Sequence, residues 1–247
     1  MTRKRLSEKD KKGYQILIAI VVVIMIIFVA YFVLQQPSCD NDNPTAHVLI
    51  IIDTTDPLTE GQQKRISEFV KDIKKEVETC QKFSIFALEA KLDGLSEPRF
   101  SACQPPKGSD ANPFYQNRRI FEKKFKQSFE DLFNNMLPHI TEGGAGAQSP
   151  IIEALVEVGQ RADFSNKVKK RRLVLISDLL QNTGVFSFIK QQPAGQIPLA
   201  NLTEVEVEIH IICRPAYRQL QGDSLTQFWS KYFQDSGAKI SKITKRF

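Results

Sequence analysis

The sequence predicts an α/β fold: a doubly wound, mostly parallel sheet with one antiparallel edge strand, preceded by one transmembrane helix. Three observations carry this. Residues 16–34 (ILIAIVVVIMIIFVAYFVL) form an apolar run without a charged side chain. Downstream, apolar runs of strand length alternate with segments of helical periodicity, the pattern of a parallel sheet covered on both faces. Two of those runs, residues 46–53 (AHVLIIID) and 172–178 (RLVLISD), end on an acid: Asp53 and Asp178.

The apolar run comes first. Its length corresponds to roughly 28 Å of helix, about one hydrocarbon core. A secretory signal has a shorter apolar core, so the run reads as an uncleaved anchor. Residues 1–15 form a basic flank, and no Lys or Arg follows the run until Lys64. The positive-inside rule puts that flank in the cytoplasm and residues 35–247 outside it. The sequence lacks glycan-rich or modular extracellular segments, which points to a bacterial inner membrane and the periplasm. Residues 35–45, with Pro37, Asp40, Asn41, Asp42, Asn43 and Pro44, form a short polar tether.

Residues 46–247 read as one domain. The first strand, 46–53, is continuously apolar, as suits a strand buried on both faces. Residues 60–79 follow with Ile66, Phe69, Val70, Ile73 and Val77 at helical spacing, and Thr59 is placed to cap them. Residues 83–88 form the second strand. Residues 99–102 form a short third, reached through a turn at Asp93-Gly94. Residues 103–113 are a loop. Residues 115–137 read as one long helix with Ile120, Phe121, Phe125, Phe129, Leu132, Phe133 and Met136 on its core face. After the glycine-rich loop 142–148, Ser149-Pro150 opens a helix to about Arg161. Strands at 172–178, 205–213 and 238–245 and a helix at 223–234 complete the domain.

Composition narrows the function. Lys and Arg total 34 against 28 Asp and Glu, a net of +6. Residues 1–13 hold +4 of it, which leaves +2 for the folded part and argues against a nucleic-acid partner. The 42% apolar content fits a globular chain, and 12 Gly with 12 Pro exclude a low-complexity one. The basic run Lys167–Arg172 precedes the strand ending at Asp178, so it lies at the opposite end of the sheet. It reads as a solvated face, or as a contact for anionic lipid or an acidic partner.

Four cysteines lie outside the membrane: Cys39, Cys80, Cys103 and Cys213. Their spacing does not suit zinc. If the second and third strands form a hairpin, Cys80 and Cys103 face each other at its open end. That favours a Cys80–Cys103 bridge, with Cys39 the main competitor for either partner.

Asp53 and Asp178 end strands that meet at one edge if those strands are neighbours, and open α/β sheets bind ligands there. With Thr55 two residues after Asp53 and Ser149 in a loop before a helix, the chain resembles the von Willebrand factor A family across about residues 46–245. That resemblance implies a metal-ion-dependent adhesion site. Asp53 and Thr55 of Asp53-Thr54-Thr55-Asp56-Pro57 match the first motif, Ser149 the second and Asp178 the third. Pro57 departs from it, because the family has a serine there. The implied cofactor is Mg2+, for which Mn2+ can substitute, and magnesium takes about six oxygen ligands. The implied activity is binding without turnover, in which a protein partner presents Asp or Glu. The expectation is therefore a membrane-anchored binding module of an envelope complex, not an enzyme.

Two alternatives stand beside it. One is a metal-free structural scaffold. The other is enzymatic: residues 53–59 (DTTDPLT) also resemble the Asp-Lys-Thr-Gly-Thr-Leu-Thr motif of haloacid-dehalogenase-like phosphotransferases. Asp53 would be the nucleophile and Ser177 the second-motif hydroxyl. The motif's lysine is replaced by Thr54, and its later acidic pair is matched only by Gly222-Asp223, which follows no apolar strand.

Overall fold

A computed structural model describes residues 8–34, 39–90, 95, 97–113, 116–144, 146–184, 186–190, 196–245 and 247. The chain divides into two units, Met1–Ser38 and Cys39–Phe247. The first contains α1 (Glu8–Leu34). Gly13–Tyr31 of α1 is long and apolar enough to cross a membrane, and none of it is buried.

In the second unit the elements run β1 (Ala46–Asp53), α2 (Glu60–Glu76), β2 (Lys82–Leu88), β3 (Phe100–Cys103), α3 (Arg118–Phe125), α4 (Asp131–Met136), α5 (Ile151–Gln160), β4 (Lys170–Ser177), β5 (Glu206–Ile211), α6 (Asp223–Asp235) and β6 (Lys239–Lys245). The strands form one sheet in the order β3-β2-β1-β4-β5-β6. All neighbours are parallel except β2 and β3. The antiparallel strand is thus an edge, as expected. The turn assigned to Asp93-Gly94 lies outside the described residues.

Strand alternation divides the core between the two faces. Leu49, Ile51, Leu173, Leu175, Val207 and Ile209 meet Ile152, Leu155 and Val158 of α5 and Trp229 and Phe233 of α6. Val48, Ile50, Ile52, Val174 and Ile176 meet Ile66, Phe69, Val70 and Ile73 of α2 and the phenylalanines of the α3–α4 segment. Each such side chain contributes roughly 1.5–3 kcal/mol by leaving water. α2 starts where the sequence places it. Thr59 accepts from Gln62 N, and the Gln62 side chain returns to the Thr59 backbone. In α5, Pro150 sits one position before the first helical residue, and its carbonyl accepts from Ala154 N.

The long helix expected over 115–137 is interrupted. A π-turn, Lys126–Glu130, separates α3 from α4, and Asp131 N donates to Lys126 O. Phe125, Phe129, Phe133 and Leu137 recur every four residues and are all buried. An ideal α-helix rotates such a row about 40° per repeat, off the sheet. The wider π-turn returns the row to the sheet's face, where Phe100 meets Phe129 and Phe133 edge-on. Ile120 and Leu132, expected in the stripe, fall on the exposed side.

The expected Cys80–Cys103 bridge does not form: Cys80 is bonded to Cys39, and Cys103 is a buried free thiol. The reason is the path of the tether. Cys103 lies opposite Lys82 in the hairpin, while Cys80 N donates to Gln104 O. The tether folds over this end, so that Asn41 Oδ1 accepts from Cys103 N and Asn41 O accepts from Lys82 Nζ. That brings Cys39 to Cys80 and turns the Cys103 thiol toward Asp40 O. Burial pushes the Cys103 thiol up to about 11.

Candidate functional site

The strand order reverses between β1 and β4. Chain segments leave in opposite directions there and open a crevice at the carboxyl ends of the strands. Ile52 pairs with Ile176, so Asp53 comes level with Ser177 and just ahead of Asp178. Asp53, Thr55, Ser149 and Asp178 are all buried at this point.

Asp53 organises the crevice. Its Oδ1 accepts from Thr55 N at 3.1 Å and from Thr55 Oγ1 at 2.6 Å, a turn in which the side chain replaces a backbone partner. Its Oδ2 accepts from Ser177 Oγ at 2.6 Å and from Ser149 Oγ at 3.4 Å. Ser149 is held by two backbone hydrogen bonds with Asn182, both 3.0 Å. The glycine-rich loop before it closes on the turn after β1. Gly146 N donates to Thr55 O, and a Cβ on Gly143 would lie 2.3 Å from Thr54 O, so no other residue fits there unchanged.

Asp178 occupies the other wall. Its Oδ1 accepts from Leu180 N at 2.9 Å. The buried Leu179 between them has φ of 65°, an unfavourable conformation for leucine that Trp229 Nε1 stabilises by donating to Leu179 O. Burial, and the Asp53 carboxylate beside it, push the Asp178 carboxyl up to about 7.

Arg214, which sequence reasoning did not single out, spans the crevice. Its Nε lies 3.2 Å from Asp178 Oδ2, while its terminal nitrogens donate to Pro57 O at 2.6 Å and Asp56 O at 3.2 Å. One guanidinium therefore joins the end of β4 to the loop after β1. Gln221 fixes it in turn: its Oε1 accepts from Arg214 N, and its Nε2 donates to the carbonyls of Asp178 and Ile212. The available signal was position, since Arg214 follows a strand neighbouring the one that ends at Asp178. Ser177 was named only for the phosphotransferase motif; here it supports Asp53. A cleft of about 570 Å³ opens beside Arg214, lined also by Cys213, Arg218, Gln221 and Lys245.

Tested against a resident divalent ion, the donor set is incomplete as it stands. Asp53, Thr55, Ser149 and Asp178 present side-chain oxygens, but the Asp178 carboxylate is already paired with Arg214. Pro57 has no side-chain oxygen, and its carbonyl is taken by Arg214. The guanidinium supplies positive charge beside Asp178, one of the four residues at which the resemblance implies a cation. His47 and His210 are satisfied structural residues. His47 bonds Asp163 O and Ser84 Oγ, and His210 bonds Glu208 and Thr244.

No family model matches the chain, and no curated protein matches it. Among solved structures it is similar to the crystal structure of the conserved hypothetical protein BatB from Bacteroides thetaiotaomicron. The two are 12% identical, the match covers 81% of this chain and 91% of that chain, and the TM-score is 0.37.

Proposed function

We propose that the chain is a membrane-anchored, von Willebrand factor A-like binding module that captures a protein partner outside the cytoplasm, within an envelope complex and without chemical turnover. The observation that carries the reading is the convergence of Asp53, Thr55, Ser149 and Asp178 at the crevice where the strand order reverses. In this reading Arg214 is the site's fixed cation, in the role the family resemblance gives to magnesium. A carboxylate-bearing partner is drawn to the adjoining cleft, where Arg218 and Lys245 add positive charge and no acid lines it among the described residues.

Phosphoryl transfer from Asp53 has less support. A nucleophile needs a free, accessible oxygen, and Asp53 is 1% exposed with both oxygens engaged. The test uses the full-length chain with a photo-reactive side chain at position 218 or at exposed position 234 of α6. Irradiation in intact cells should give a protein adduct at 218 alone, lost with Arg214→Ala. Equal adducts at both positions, or none, would leave the scaffold alternative. A phosphoryl mass on Asp53 after treatment with a phosphoryl donor would establish the enzymatic one.

A further inference from the structure

The opposite end of the sheet has its own chemistry. β4 begins there with Lys170, Arg171 and Arg172, directly after Lys167 and Lys169. Ala46 pairs with Lys170 and His47 with Arg171, so the basic run lies beside the point where the chain enters β1. Lys239, the first residue of β6, joins it across β5. A cleft of about 580 Å³ is lined by Lys169, Lys170, Arg171, Arg172 and Lys239, with Glu204 and Glu206 as its acids.

These groups divide by what they already do. Arg172 pairs with Glu76 and Glu208, and Arg171 donates to the carbonyls of Phe164 and Thr203. Lys167, Lys169, Lys170 and Lys239 are exposed. None of the four has an ion-pair partner among the described residues.

The tether reaches the folded unit at this same end. The Cys39–Cys80 bridge lies just before β2, and Lys82 Nζ donates to Asn41 O beside it. Residues 35–38 alone separate Leu34, the last residue of α1, from Cys39. Fully extended chain from Leu34 to Cys39 reaches at most about 18 Å. Without the bridge the leash would run on to Ala46, more than twice as far. The disulfide therefore shortens the leash between α1 and the lysine-bearing end of the sheet. A negative lipid surface acts over about a Debye length, roughly 10 Å.

We propose that Lys167, Lys169, Lys170 and Lys239 form a docking edge for the headgroups of anionic phospholipid in the leaflet from which the tether emerges. The proposal rests on the reading of α1 as a membrane anchor. Lipid is the occupant because the leash is short and ends at this edge, and because the free charges there are lysines, which pair with a diffuse phosphate surface as point charges. Docking would hold the Asp53–Asp178 crevice away from the bilayer, at the far end of β1 and β4.

The test reconstitutes the full-length chain into vesicles of phosphatidylcholine alone and of phosphatidylcholine with 30% phosphatidylglycerol. Flotation with the vesicles reports the anchor. A membrane-impermeant amine reagent, read by peptide mass spectrometry, reports the edge, with exposed Lys231 of α6 as internal reference. The expected result is flotation in both lipids, with labelling of Lys167, Lys169, Lys170 and Lys239 slowed several-fold relative to Lys231 only in the anionic vesicles. Protection should vanish in 0.5 M NaCl. In the triple variant Lys167→Glu, Lys169→Glu, Lys170→Glu, the remaining Lys239 should label at its zwitterionic rate. Flotation with equal labelling in both lipids would overturn the docking and leave the anchor standing. Failure to float would overturn the anchor and the docking together. Equal protection in both lipids would assign the edge to a protein contact and overturn the proposal.

Discussion

Arg214 Nε lies 3.2 Å from Asp178 Oδ2, and both side chains are largely buried, 12% and 3% exposed. The pair closes the crevice from the β5 side and ties it to the loop after β1. Removing the guanidinium strands an acid in a low-dielectric wall and frees two loop carbonyls.

Arg214→Ala is therefore expected to lower stability by roughly 3 kcal/mol. Arg214→Lys should recover only part of that, because a lysine cannot reach three acceptors in one plane. Urea denaturation of both variants checks the order. Equal stability of Arg214→Ala and the native chain would remove Arg214 from the site.

Metal affinity should follow the arginine. Calorimetry of the native chain is expected to give no saturable heat with Mg2+ or Mn2+, and Pro57→Ser alone should not change that. Arg214→Ala combined with Pro57→Ser frees Asp178 and adds an oxygen, so it should bind the ion. Saturable binding by the native chain would return the site to the metal-dependent form that the family resemblance implies.

Peptide mapping under non-reducing conditions should find Cys39 joined to Cys80, with Cys103 and Cys213 as thiols. The two bridged cysteines are 41 residues apart, which corresponds to about 4 kcal/mol by loop-closure entropy. Cys39→Ser should lose most of that stability in an oxidising buffer and none in a reducing one. A Cys80–Cys103 peptide would refute the pairing.

Acid should weaken the fold through His47. Burial holds its ring down at about 4, against 6.5 for the free side chain. Between those values the unfolded chain takes up the proton and the folded one does not, so His47 contributes a loss of stability as pH falls, while the raised Asp178 carboxyl contributes a gain over the same range. The full span is worth about 3 kcal/mol. Burial favours a raised Asp163 carboxyl, but Arg161 and Lys82 bring it down to about 2, which adds a further loss between pH 3.8 and 2. His47→Gln should remove that loss, so that the variant gains stability relative to the native chain as pH falls from 6.5 to 4. An unchanged slope would assign the acid sensitivity elsewhere.

An alkaline phosphatase fused after Phe247 should be active, because the basic residues crowd only the flank before α1. Activity of a cytoplasm-only reporter at that position would invert the topology.

Those predictions draw on two kinds of information. The apolar runs of β1 and β4 and the acids that end them were legible, because continuous hydrophobicity with a terminal polar residue is a local pattern. Their adjacency brings the carboxyl ends of both strands, and so Asp53 and Asp178, to the same edge of the sheet. Arg214 was not legible: it stands in a polar segment, and its reach to Asp178 depends on β5 lying beside β4 and on Gln221 holding its backbone. The cysteine pairing failed for a related reason, because the path of a short polar tether is set by what it folds against. The π-turn was hidden in the four-residue spacing of Phe125, Phe129 and Phe133, which passes for a helical stripe over one repeat and drifts over three.

The Cys39–Cys80 bridge also decides how the protein carries tension. A pull on α1 reaches Cys39 and passes through the sulfurs to Cys80, at the threshold of β2. Residues 40–79, which include the central strand β1 and its helix α2, form a closed covalent loop off the load path. Force enters the sheet one strand away from the crevice, and Asp53 at the end of β1 is mechanically shielded. Reduction of the bridge would reroute the same pull straight into β1 and through it to Asp53.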